Sequence, residues 1–128
     1  MRVENLVNNP KLENFTVTPH IRKNHIEIED EMLLGRFKEK GNKTKMYSKF
    51  TDEKTAAGAI AQALKLNIRR ISNWENSKVD FLKIFFNVND PIGYGFDCKG
   101  DRFDLNKLTI ILCKNNSQGF RIKSAYPS

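Results

Sequence analysis

Histidine, cysteine, tryptophan and proline are all scarce in this chain of 128 residues, at two, two, one and four copies. The two cysteines, Cys98 and Cys113, make at most one bridge, which excludes a disulfide-stapled scaffold. They form no Cys-x-x-Cys pair, and with only two histidines they make a poor zinc site. Their plain reading is as small buried hydrophobes, with a single pairing left open. No carboxylate and histidine cluster has recognisable ligand spacing, so neither a metal nor a cofactor is expected. No apolar run approaches the ~20 residues that span a bilayer, so no membrane-spanning segment is expected. The first residues, MRVENLVNNPKLENF, lack the apolar stretch of a signal peptide. Gly93 and Gly95 are not followed by Gly-Lys-Ser/Thr, so they are not a phosphate loop. No internal repeat is present.

What remains is a one-domain chain long enough to bury a working core. Hydrophobic residues make up 39% and Phe supplies nine of the aromatics, which favours a packed interior over disorder. Lys and Arg total 22 against 15 Asp and Glu, a net charge of +7. That surplus points to a polyanionic partner, nucleic acid being the commonest.

Residues 1–17 read as a polar linker behind a start methionine, as in a piece cut from something larger, with Leu6, Val7 and Leu12 fastening it loosely. Residues 18–128 make the domain. Thr18-Pro19 starts a short helix, with threonine as N-cap and proline in the first turn. Asp30 is expected to cap a second helix running to about residue 40, with Met32, Leu33 and Phe37 as its apolar stripe and Gly41-Asn42 as its stop. Residues 51–74 read as one long helix on the spacing of Ile60, Leu64, Ile68 and Ile71, with Trp74 packed at its end. Strands follow at 79–88, 92–96, 108–113 and 120–126, and residues 98–106 read as a polar turn region. Helices first and strands later, joined by hairpin-length connections, give an α+β class: N-terminal helices packed on a C-terminal antiparallel sheet.

Both histidines, His20 and His25, fall in the stretch PHIRKNHIEIEDEMLLGR, and Arg36 follows eleven residues after His25. Histidine accepts and donates protons near neutrality, and arginine presents a permanently charged fork suited to phosphate. A base beside a phosphate clamp is what RNA cleavage by its own 2′-hydroxyl requires. Five residues apart on one helix, the two rings would sit about 140° from each other, so only one would easily face a shared site. On the last strand, Phe120, Ile122, Ser124 and Tyr126 are expected to share one face, and Arg121, Lys123 and Ala125 the other. Two hydroxyls side by side there offer donors for a phosphate oxygen, or a tyrosine for proton transfer. Lys38, Lys43, Lys45, Lys49, Arg69 and Arg70 are candidates for a phosphate-tracking surface.

Several of these pieces, in order, resemble a known group. They are His20 with four residues before His25-Ile26, then Leu34-Gly35-Arg36, then Ser48-Lys49-Phe50-Thr51-Asp52 as a helix start. Ala56, Ile60, Ala63-Leu64, Asn67, Ile71 and Trp74 follow, then Ile92-Gly93 and the closing Ser124-Ala125-Tyr126-Pro127. Over roughly residues 18 to 127 the chain resembles the ribonuclease A-like toxin domain at the C-terminus of contact-dependent growth inhibition proteins and related bacterial polymorphic toxins.

The resemblance implies a ribonuclease A-like fold without the vertebrate disulfide set. It implies an active site of His25, Arg36, Ser124 and Tyr126, with Ser124 standing where the family usually has threonine. Tyr126 either orients His25 or helps protonate the departing 5′-oxygen, with His20 or a lysine as alternative acids, since no clear second histidine lies on the last strand. The implied activity is metal-independent endoribonuclease cleavage of an RNA substrate, and the implied partner is a cognate immunity protein. The toxin domain is expected to be monomeric, delivered as part of a larger protein and active in the recipient cell's cytoplasm. Two rival readings stand beside it. One is an EndoU-type toxin nuclease, which normally offers catalytic histidines in separate segments. The other is a non-catalytic basic nucleic-acid-binding or protein-binding module, which leaves Ser124 and Tyr126 unexplained.

Overall fold

The computed structural model describes residues 17–40, 46–115 and 119–128. The expectations for Leu6, Val7, Leu12, Gly41, Asn42, Lys43 and Lys45 lie outside the described residues. Val17, at the boundary drawn from sequence, is buried in the main core.

Helix α1 (Pro19–His25) begins as its composition dictates. Thr18 is extended, its side chain accepts from the Ile21 N–H, and Pro19 occupies the first turn, where a missing donor costs nothing. Helix α2 (Asp30–Lys40) starts one residue earlier than expected. The Glu29 carbonyl accepts from Met32 and Leu33, while the Asp30 carboxylate accepts a 2.6 Å hydrogen bond from the Tyr94 hydroxyl. Leu33 and Phe37 are buried, but Met32 is exposed and Leu34 takes its place against the core.

Between the helices lies a strand the sequence reading did not anticipate, β1 (Met46–Phe50). The stretch read as one helix over 51–74 is two: α3 (Glu53–Leu66), capped by Asp52, and α4 (Ile68–Glu75). Asn67 divides them. Its backbone N–H bonds the Leu64 carbonyl and its side-chain amide donates to the Ala63 carbonyl, so it closes the first helix. The apolar spacing continues across the break, which is why periodicity alone missed it.

Five further strands follow: β2 (Phe81–Asn87), β3 (Gly93–Asp97), β4 (Arg102–Leu105), β5 (Lys107–Lys114) and β6 (Phe120–Pro127). β4 replaces part of the expected turn region. Among the described residues the strands form two antiparallel sheets rather than one, ordered β1-β3-β4 and β2-β5-β6, and the class is α+β. Cys113 is buried on β5, as read, but Cys98 is exposed in the β3–β4 turn; both are free thiols.

The main core lies among α1, α3, α4 and the β2-β5-β6 sheet. Ile21, Phe50, Ile60, Leu64, Ile71, Ile84, Leu108, Ile110, Leu112 and Phe120 are fully buried there. Each such side chain contributes roughly 1.5–3 kcal/mol. Trp74 packs edge-on to Phe120, with centroids 5.8 Å apart. A smaller core of Ile28, Leu33, Phe37 and Phe96 sits under α2. The two sheets meet where β1 touches the end of β6. The Ser48 hydroxyl donates to the Pro127 carbonyl at 2.5 Å. Gly93 is required at this junction, because a Cβ would collide with the Lys49 carbonyl and the Pro127 ring.

The last strand departs from simple alternation. Leu112 pairs with Ile122 and Ile111 with Ser124, so Lys123 is an extra residue in β6. The phase of the strand shifts there. Phe120, Ile122 and Ala125 are buried, while Lys123 is exposed and Ser124 and Tyr126 are half-buried. The expectation that Ser124 and Tyr126 share a face with Phe120 and Ile122 is therefore corrected: the bulge turns the hydroxyls away from the core.

Candidate active site

The site gathers at the C-terminal end of α1, where the helix packs on β6 and β1. His25 is the last residue of the helix, so its ring leaves the helix surface and enters the space between the strands. Its Nδ1 lies 3.4 Å from the Ser48 carbonyl of β1, and its Nε2 lies 3.4 Å from the Ser124 Oγ of β6. A carbonyl only accepts, so Nδ1 carries the proton, and the Nε2 lone pair faces the serine hydroxyl. The Tyr126 ring lies 5.6 Å from the His25 ring, tilted by 35°.

Burial pushes the His25 pKa down to about 4. The Ser48 carbonyl opposes this, while the charges of Arg36 and His20 add to it. His25 is therefore neutral at pH 7, with a proton-accepting nitrogen pointing into the site.

Arg36 reaches this centre from α2. One of its Nη atoms donates to the Asn24 Oδ1 at 3.3 Å, and its guanidinium carbon lies 5.9 Å from the centre of the Tyr47 ring. The same Asn24 donates through Nδ2 to the His20 carbonyl (3.0 Å) and lies 3.2 Å from the His20 Nδ1. An acceptor at one end and a guanidinium donor at the other fix which way the amide points. Nδ2 thus donates to the His20 Nδ1 and leaves His20 with Nε2–H as its donor. The two imidazole centroids are 6.0 Å apart, edge to face. Despite the large helical angle between them, both histidines border one site, because His25 stands at the helix end rather than within it.

Beside the site lies a cleft of about 480 Å³ lined by Thr18, Pro19, His20, Ile111, Ser124 and the β6 residues Arg121, Ile122 and Lys123. His20 and Ser124 thus form one wall of a concave space large enough for a nucleotide.

His25, Ser124, Tyr126, Arg36 and His20 all contribute to this centre. Of the proposed cationic track, the described residues Lys38, Lys49, Arg69 and Arg70 are not gathered with them. The Lys49 Nζ donates to the Ile28 carbonyl at 2.6 Å, fastening β1 to the α1–α2 connection. Lys38 is exposed about 200° round α2 from Arg36. Arg69 and Arg70 are exposed on α4, which carries none of the central residues. Sequence reasoning missed Asn24, Tyr47, Lys123 and the Ser48 carbonyl. The Asn24 spacing of four from His20 was a usable signal; a backbone carbonyl leaves none. Among the described residues no three His, Cys, Asp or Glu side chains gather as ligands would, and no helix is long and apolar enough to cross a membrane.

The family model described as the bacterial CdiA-CT RNAse A domain matches residues 19–127. Among solved structures, a CdiA-CT/CdiI complex from Y. kristensenii 33638 is similar, with a TM-score of 0.72 and 26% sequence identity over 81% of this chain and 94% of that one. No curated protein matches the chain.

Proposed function

The chain belongs to the bacterial CdiA-CT RNAse A domain family, and from that premise and the geometry above we propose that it is a toxin endoribonuclease that cleaves RNA by attack of the ribose 2′-hydroxyl on the adjacent phosphorus. The observation that carries this reading is the convergence of a neutral imidazole nitrogen, two hydroxyl side chains and a guanidinium from three separate elements beside one cleft.

In the proposed mechanism His25 Nε2 takes the 2′-hydroxyl proton. The imidazolium so formed is held by the hydrogen bond from Nδ1–H to the Ser48 carbonyl. A bound phosphate, being negative, raises the basicity of His25 from its depressed resting value toward the working range. Arg36 offsets the charge that gathers on the non-bridging oxygens, and Ser124 donates to the same phosphate; such preorganised stabilisation is often the largest catalytic term. Tyr126 orients the His25 ring, and the His20 Nε2–H hydrogen-bonds the departing 5′-oxygen, which takes a proton from water as its bond to phosphorus breaks; His25 then returns the 2′-hydroxyl proton to solvent. The product is a 2′,3′-cyclic phosphate. No step draws on a metal ion.

The similar solved structure is a CdiA-CT/CdiI complex. By that likeness, this domain is delivered as part of a larger protein, acts in the cytoplasm of the receiving cell, and is neutralised by a cognate immunity protein with an acidic face complementary to the +7 charge. Incubation with total cellular RNA tests the reading. Wild type should yield cyclic-phosphate ends in excess EDTA, and His25→Ala, folded, should yield none. Equal cleavage by both proteins would remove the proposed base, and loss of cleavage in EDTA would move the protein to a metal-dependent class.

A further inference from the structure

We propose that the outer face of the β2-β5-β6 sheet is the track along which single-stranded RNA enters the active site, with bases stacked on Phe81 and Phe85; this rests on the RNA-cleaving reading above. The register places the parts. Ser124 pairs with Ile111 and Ile111 with Lys83; Tyr126 pairs with Thr109 and Thr109 with Phe85; Arg121 pairs with Cys113 and Cys113 with Phe81. Cross-strand partners project from the same side of a sheet. The two active-site hydroxyls and the side chains of Phe81, Lys83, Phe85 and Arg121 therefore stand on one face of the sheet, flanking the buried Thr109 and Cys113 of the central strand. Two strand spacings, roughly 10 Å, separate the hydroxyls from the rings.

The rings are not spare core. The opposite face of β2 supplies the core through Ile84, with Leu82 and Phe86 packed against it. Phe81 is 53% exposed and Phe85 67%. A lone exposed apolar residue needs no explanation, but here two rings stand four residues apart on one face of β2, each with a cation over it. The Lys123 Nζ lies 4.8 Å from the Phe81 centroid, and the Lys83 Nζ lies 6.0 Å from that of Phe85. Lys123 is the extra residue of the β6 bulge, so the irregularity that aims Ser124 at His25 also puts a cation beside Phe81. A second cavity, of about 330 Å³ and lined by Phe81, Lys114, Arg121 and Lys123 with Asp80 as its one carboxylate, adjoins the active-site cleft through the last two of those cations. Aromatic faces interleaved with cations are the surface that holds single strands without strict sequence preference, the rings taking bases and the cations taking phosphates. The charge on this face selects a polyanion rather than an apolar partner.

The test compares Phe81→Ala/Phe85→Ala with the parent protein, using a fluorescent single-stranded RNA of about ten nucleotides. In the uncleaving His25→Ala background, the double variant should bind this RNA at least about tenfold more weakly. In the active protein, cleavage of the same RNA should fall by a larger factor than cleavage of a dinucleotide, which is too short to reach both rings. Unchanged RNA affinity, an equal loss on both substrates, or loss of immunity-protein binding with RNA affinity intact would each overturn the proposal. The binding arm needs no turnover. A protein that binds RNA on this face yet cuts none would refute the nuclease reading and support the track.

Discussion

Ser124 Oγ on the last strand and His25 Nε2 at the end of the first helix stand 3.4 Å apart, across a sequence separation of 99 residues. The serine is one of two residues opposing Ile111, and the bulge is what turns its hydroxyl to the histidine. Replacing Ser124 by Ala removes a donor to a charged group, and kcat/KM should fall by about tenfold to a hundredfold. Ser124→Thr retains the hydroxyl and should keep most of the activity. Steady-state kinetics on a dinucleotide checks both.

Tyr126 supports His25 through its ring, so Tyr126→Phe should retain activity to within about tenfold, whereas Tyr126→Ala should approach the loss of about 10²–10⁴ expected for removing the base itself. Equal and severe losses in both variants would make the phenol a proton donor instead.

The depressed pKa of His25 predicts where activity fails in acid. The acid limb of kcat/KM should lie near pH 4, well below the ordinary histidine value of 6.5. Stability follows the same linkage. Between pH 6.5 and 4 the unfolded chain binds a proton on His25 that the folded chain does not. The stability present above pH 6.5 is therefore progressively lost toward pH 4, by about 3 kcal/mol in all. Denaturant unfolding of wild type and His25→Gln across this range should show the loss in wild type and a smaller one in the variant.

Asn24 holds Arg36 and His20 with one amide. Asn24→Ala leaves the buried core untouched, so the melting temperature should barely move, while kcat should fall by about tenfold as the two groups lose their shared support. Asn24→Asp presents acceptors only, so it keeps the link to Arg36 and loses the one to His20. Its activity relative to Asn24→Ala separates the two roles.

Gly93 lies at the seam between the sheets, next to the strand that supplies the Ser48 carbonyl. Gly93→Ala sets a methyl against the backbone of β1, which cannot yield as a flexible side-chain tip would. A destabilisation of about 3 kcal/mol or more is expected, measurable as a lowered midpoint in urea.

The N-cap at Thr18, the central strand at Leu108–Cys113 and the final strand were legible because each is written locally, in a cap residue or an apolar run. So were the residue types of the site. β1 and β4 were not legible: MYSKF and RFDL are short, polar in part, and become strands only by pairing with β3. The division at Asn67 was hidden because the apolar spacing runs through it. Lys49, a candidate for the phosphate-tracking surface, is held by the Ile28 carbonyl, a contact made only after folding.

Composition and residue order thus determined the class of the protein, a basic α+β domain carrying imidazole, guanidinium and paired hydroxyls, since these depend on side-chain chemistry and near-neighbour spacing. Tertiary structure decided which nitrogen of His25 is free, which way Ser124 and Tyr126 face, and what steadies Arg36. Those outcomes rest on a backbone carbonyl, a one-residue bulge and a shared amide. Each acts between segments distant in the chain, and nothing in the local pattern of residues records such a meeting.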